Sequence, residues 1–117
     1  MLGHVVNNRD AVLSTLGEEP SVGDAGARYR RGTEPVAGDE EGLLTLEQLL
    51  AYLEQAQERI AAALSHISDE ALAREVMLGE RKVTVGQRLF FFYFHETFHV
   101  GQTEIFRQLA GKDDKII

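Results

Sequence analysis

Two histidines one helical turn apart, His95 and His99, stand in the run Phe94-His95-Glu96-Thr97-Phe98-His99. Side chains at i and i+4 of a helix point the same way, so such a pair can grip one metal ion. At ~100° per residue, with His95 as origin, His99 lies ~40° to one side and Gln102 ~20° to the other. Arg88, Phe91, Phe106 and Leu109 fall within ~40° of the same line, which makes an inward stripe; Glu104, Arg107 and Gln108 take the opposite, solvent-type face. The plainer reading is a pair of core histidines bonded to separate neighbours. Two neutral imidazoles without a shared partner would each need their own polar contacts in an aromatic surround. A third ligand should come from another helix, and His4 is the best candidate. It shares its side of the first helix with Asn8 and Ala11 and lies close to Asn7, whereas Leu2, Val6 and Leu13 occupy the other side. Small and polar neighbours suit a cavity wall whose amides orient ligands. The alternative for His4 is a frayed, solvated first turn. His66 falls at a helix end, where a cation complements the helix dipole, and reads as structural.

The elements that must position these residues are legible from their boundaries. Leu2 to Leu16 reads as a helix stopped by Gly17, with Pro20 just beyond. From Gly17 to Gly42 there are six glycines and both prolines, so residues 17–44 form a long loop. Thr45 and Gln48 have the form of a capping box opening a helix to about His66, and Ser68-Asp69-Glu70 can cap one short further turn. Met77 to Lys82 is a connection with extended character. Thr84 and Gln87 form a second capping box, opening the longest helix, which closes at Gly111. Strand signal is slight, so the expected class is all-α, most simply an antiparallel up-down bundle in one domain over residues 1–117.

Composition narrows the function. The 117 residues carry 12 Lys plus Arg against 19 Asp plus Glu, a formal charge of −7, which disfavours a nucleic-acid binder. With no cysteine there is neither a disulfide, a thiolate ligand nor a Cys nucleophile. No apolar run approaches the ~20 residues of a membrane span, and no signal-type segment opens the chain. The expected setting is cytoplasmic, without membrane or nucleic-acid partners.

His95-Glu96-Thr97-Phe98-His99 also matches H-E-x-x-H, the zincin signature in which the glutamate is the general base. The surroundings fit a peptidase poorly. Gly101 comes one place too early for the longer metzincin form, few residues follow His99 to supply a later ligand, and there is no strand-rich half to hold a peptide.

Phe94-His95-x-x-Phe98-His99-x-Gly101-Gln102, continuing through Ile105, Arg107, Leu109 and Gly111, resembles the last helix of the DinB/YfiT-like metalloenzyme superfamily. Gly3-His4 through Arg9-Asp10-Ala11-Val12-Leu13 is similar to the family helix that carries the first histidine. The resemblance spans essentially the whole chain. It implies a four-helix bundle holding a divalent ion (nickel, zinc, iron or manganese) on His4, His95 and His99. It also implies, for some relatives, thiol S-transfer with low-molecular-weight thiols. A three-histidine site with an open position is a catalytic arrangement, able to make hydroxide or thiolate near neutral pH. Asn8 and Gln102 would orient ligands or substrate, Glu96 would be a base on the flank of His99, and Arg30 and Arg31 could meet an anionic substrate or simply be solvated. The expected function is therefore a metal-dependent thiol S-transferase or hydrolase acting on a small molecule. The competing expectations are an inactive, truncated bundle serving as an interaction or stress-response module, and, further off, the zincin-like peptidase.

Against the family bundle the chain reads as an N-terminally short form, without the helix that would precede the one bearing His4. One groove of the bundle should then be open. Phe90-Phe91-Phe92-Tyr93-Phe94 is apolar all round and needs cover, which predicts a homodimer or an exchange of helices between protomers.

Overall fold

In the computed structural model, which describes residues 1–38, 40–112 and 114, helix α1 spans Leu2–Leu16. It stops at Gly17, whose φ of 85° is left-handed, and the N–H groups of Gly17 and Glu18 return to the carbonyls of Ser14 and Leu13 at 3.2 and 2.9 Å. Helix α2 spans Leu46–His66 and helix α4 Val85–Leu109, with a short α3 at Asp69–Ala73 between them. Both capping boxes form. The Gln48 side chain accepts from the Thr45 N–H at 2.8 Å and the Gln87 side chain from the Thr84 N–H at 2.9 Å, while each threonine hydroxyl accepts in return.

Two features differ from the expected all-α up-down bundle. The connection before α4 is an antiparallel hairpin, β1 (Glu75–Leu78) and β2 (Arg81–Thr84), with Val76 opposite Val83 and Gly79 at φ 61° in the turn. Glycine at the first turn position suits a two-residue hairpin. The fold is thus mostly helical with one small two-stranded sheet. The second difference is direction. Arg9 reaches the carbonyl of Leu53, while farther along α1 the residues just after its end, Glu18 and Glu19, meet Arg59. Contacts that ascend together along both helices mean that α1 and α2 run parallel, whereas α4, starting near the end of α2 through the short α3 and reaching His4 only at His95 and His99, runs against α1. The long loop makes this possible by carrying the chain back along α1. Asp10 gathers the loop's start, its carboxylate accepting from the N–H groups of Ser21, Val22 and Gly23 at 2.6, 3.2 and 2.9 Å. A 3-10 segment, Gly23–Tyr29, then packs on α1, and the Tyr29 hydroxyl accepts from the Leu44 N–H at 2.8 Å beside the start of α2.

The core is small: Val6 and Leu13 of α1, Val22 of the loop, Ala56 of α2 and Val85 of α4 are buried. Among the described residues there are three long helices, so α1 is central and the four-helix bundle of the family resemblance is not completed by them. Between α2 and α4 lies an apolar groove of about 330 Å³, lined by Val12, Ile60, Leu64, Leu89, Phe92 and Val100. The inward stripe read on α4 holds only in part. The first turn of α1 lies opposite His95 and His99, and the turns of α4 beyond them lose its cover, leaving Phe106 and Leu109 59% and 79% exposed. Among the described residues no helix is long and apolar enough to cross a membrane.

Candidate metal centre

Three imidazoles converge where the first turn of α1 meets the middle of α4. Nε2 of His95 lies 3.5 Å from Nε2 of His4 and 3.3 Å from Nε2 of His99. One ligating atom from each of the three fits within 4.8 Å of the others. Two nitrogens each ~2.0–2.1 Å from a tetrahedral ion sit about 3.3 Å apart, so the His4–His95 and His95–His99 spacings suit nitrogens that share one ion.

The far sides of the rings show which nitrogens are free. Nδ1 of His4 faces the Tyr29 carbonyl at 3.4 Å, and Nδ1 of His99 faces the Gln102 side-chain oxygen at 2.7 Å. Both partners are acceptors, so both Nδ1 atoms carry hydrogen, and neutral rings then present bare lone pairs at Nε2. Without an ion, the His95 Nε2 can donate to the His99 Nε2 at 3.3 Å while the Asn8 amide donates to the His4 Nε2 at 3.0 Å. What sets the cluster apart from three separately bonded core histidines is that one nitrogen of each ring meets the others at a single point. Asn8, one turn from His4, places its amide nitrogen 3.0 Å from the His4 Nε2 and 3.5 Å from the His95 Nδ1. Burial pushes the His4 imidazole below its ordinary 6.5, although its Tyr29 hydrogen bond works the other way. Burial likewise lowers His95, with the neighbouring His99 and His4 adding to the effect. Arg31 contributes a smaller lowering at both rings, so its positive charge acts on the site, although its side chain is exposed. A site that keeps its imidazoles neutral keeps them competent as ligands.

Local sequence explains how His4, so near the chain start, is held. A Cβ on Gly3 would lie 2.3 Å from Cδ1 of Tyr29, so only glycine lets that ring rest against the first turn and bring its carbonyl to His4. Phe91 stacks near His95 with ring centroids 6.1 Å apart, and Phe98 meets His99 edge-on at 5.6 Å.

The structure thus brings His4, His95, His99, Asn8 and Gln102 together. Glu96, the base expected from the sequence, lies on the neighbouring flank of α4 with its carboxylate gripped by Arg9, Nη2 to Oε1 at 2.6 Å and Nε to Oε2 at 3.1 Å. Arg9 also donates to the Leu53 carbonyl at 2.7 Å, so one side chain joins all three long helices. Arg30 is exposed, and His66 is exposed at the end of α2, as a structural reading expects. Sequence reasoning gave no role to Gly3, Arg9, Asp10 or Tyr29. The first three stood inside the quoted α1 motif, where an Arg and an Asp on a half-buried helix already ask for partners; a backbone carbonyl such as that of Tyr29 leaves no trace in sequence.

A mostly helical domain that offers three imidazoles to one point from two helices could hold a metal ion there. Comparison with protein-family models makes this specific: the DinB superfamily model matches residues 1–103, and the chain belongs to that superfamily, whose members often bind metal ions. Comparisons with curated proteins and with solved structures give no significant match. The His-Glu-x-x-His run accordingly lies within the stretch that the DinB superfamily model matches, with a third histidine close by on α1.

Proposed function

We propose that this chain is a divalent-metal-dependent enzyme of the thiol S-transferase or hydrolase type, acting on a small molecule with its ion held by His4, His95 and His99. The convergence of three Nε2 atoms at 3.3 and 3.5 Å, two of them with their Nδ1 hydrogens already assigned to oxygen acceptors, carries this reading. Bound there, a zinc, nickel, iron or manganese ion supplies the Lewis acidity that makes a water or thiol nucleophilic near neutral pH. The protein's own groups do the rest. The Tyr29 carbonyl and Gln102 hold two rings in the ligating tautomer, as outer partners of metal-bound histidines do. Asn8 sets its amide nitrogen against both His4 and His95, where it helps to orient the two rings. Phe91 and Phe98 stand beside the His95 and His99 rings. Arg31 supplies positive charge near the rings, suited to an anionic group on the substrate. Since the chain has no cysteine, any thiol in the reaction arrives with the substrate.

The test is turnover. Protein loaded separately with each of the four metals is assayed with a low-molecular-weight thiol plus a chromogenic electrophile, and with a chromogenic ester. Metal-dependent turnover, lost on chelation and in His95→Ala, is expected; no turnover with any metal overturns the enzymatic reading. One observation favours the second reading, an interaction or stress-response module without catalysis: Phe90, Tyr93, Phe94 and Phe98 of α4 are each more than half exposed.

A further inference from the structure

Along α4, Phe91, Phe94, Phe98, Gly101 and Ile105 recur at spacings of 3, 4, 3 and 4, the seam of a helix that packs against another by knobs into holes. Phe91, Phe94, Phe98 and Ile105 are 41%, 61%, 56% and 58% exposed, and nothing lies within contact distance of a Cβ built on Gly101. This seam is not the wall of the α2–α4 groove. It lies ~100–180° around α4 from Phe92, Tyr93 and Val100, which line that groove, so whatever fills the groove leaves the seam bare.

We infer that the seam pairs with the same seam of a second copy, the two α4 helices running antiparallel about a two-fold axis between His99 and Val100. The sequence is self-complementary in that arrangement. Phe98 faces the second copy's Gly101, and Phe94 faces the second copy's Ile105, each twice, so the bulkiest side chain enters the one gap on the facing helix. Charge does not oppose the approach, although the chain as a whole is at −7. The seam carries no ionisable group, and Glu104 beside it is already engaged by Arg107 at 2.9 Å and Gln108 at 3.0 Å. The area is sufficient. With Phe90, 69% exposed on the seam's flank, the four phenylalanines and Ile105 leave about 550 Å² uncovered per copy, taking ~200 Å² for a fully exposed ring. Covered on both copies, this exceeds the ~1,000 Å² that separates specific interfaces from casual contacts. The pairing also encloses Phe91 and Phe98, the rings that stand against His95 and His99, so each copy would wall one side of the other's histidine cluster.

The experiment is sedimentation equilibrium of the full chain at tens of micromolar, with circular dichroism to show that each variant keeps its helix content. The wild type is expected at twice its 13.0 kDa mass. Phe94→Lys alone and Ile105→Glu alone should each halve the observed mass, and the two together in one chain should restore it, because in the antiparallel pair the introduced lysine meets the introduced glutamate twice. A wild-type monomer, which would leave the seam to another segment or partner, overturns the proposal. So do single variants that remain dimeric, which would place the interface elsewhere, and a double variant that stays monomeric, which would refute the antiparallel register.

Discussion

Replacing Gly3 by alanine sets two effects of opposite sign against each other. On helix propensity alone the change stabilises, by up to ~1 kcal/mol in a helix interior and by less in a first turn. Sterically it cannot be accommodated in place, since the new Cβ would meet Cδ1, Cγ and Cε1 of Tyr29 at 2.3, 2.6 and 2.8 Å. Relief would require the ring to move, yet its hydroxyl is tied to the Leu44 N–H at 2.8 Å and its carbonyl to His4. Overpacking of this kind costs ~1–3 kcal/mol, so the steric effect wins and the net loss is about 1–2 kcal/mol. For a chain of this size that lowers the melting temperature by roughly 4–8 °C. Displacing the Tyr29 carbonyl also releases the His4 ring, which should weaken metal binding by ~10–100-fold, as loss of an outer hydrogen-bond partner does. Thermal melts of the metal-free protein and zinc titrations of both variants measure the two effects. In a Tyr29→Ala background the clash is gone, and Gly3→Ala should then be neutral or slightly stabilising. A Gly3→Ala protein as stable as wild type, with unchanged zinc affinity, would refute the seating of Tyr29 on α1 and its hold on His4.

Other outcomes follow from the same geometry. Arg9→Ala should destabilise by about 2–3 kcal/mol, less than a fully buried pair because Glu96 is one-third exposed; chemical denaturation showing under 1 kcal/mol would contradict the role given to Arg9. Glu96→Gln separates anchor from base: metal-dependent turnover persists if the carboxylate only holds Arg9 and collapses if it moves a proton. Gln102→Leu should weaken zinc binding by ~10–100-fold without changing the melting temperature of the metal-free protein appreciably, since Gln102 acts on the His99 tautomer. His4 and His95 are held below 6.5, so the unfolded chain takes up protons first on acidification. Their contribution to the stability of the metal-free fold is therefore present above 6.5 and is lost as pH falls below it. Melting temperatures in chelator that rise between pH 7 and pH 5 would contradict this.

Much of the architecture was legible because local chemistry dictates it. The two capping boxes and the left-handed glycine after Leu16 bound the long helices irrespective of packing, and i, i+4 spacing alone put His95 and His99 on one face. His4 followed from the polar company it keeps on α1. Helical periodicity says which face is inward but nothing about direction, so the parallel run of α1 and α2 had to await the Asp10 and Tyr29 contacts that fold the loop back. Four-residue strands are too short for alternation to register, and Gly79 alone did not announce the hairpin. Phe106 and Leu109 sit on the histidine stripe yet are exposed, because periodicity cannot tell where a neighbouring helix stops giving cover. The Arg9–Glu96 pair joins residues far apart in sequence, and neither residue type names its partner; the same glutamate in an H-E-x-x-H run invites a catalytic role.

The central claim is that His4, from a different helix, completes the pair on α4 as ligands of one divalent ion. Competitive zinc titration of wild type and His4→Ala tests it most directly. One ion per wild-type chain is expected, with an affinity at least ~100-fold weaker in His4→Ala, a larger loss than that of any outer partner. Equal affinity in the two proteins would show that α1 supplies no ligand and would contradict the account.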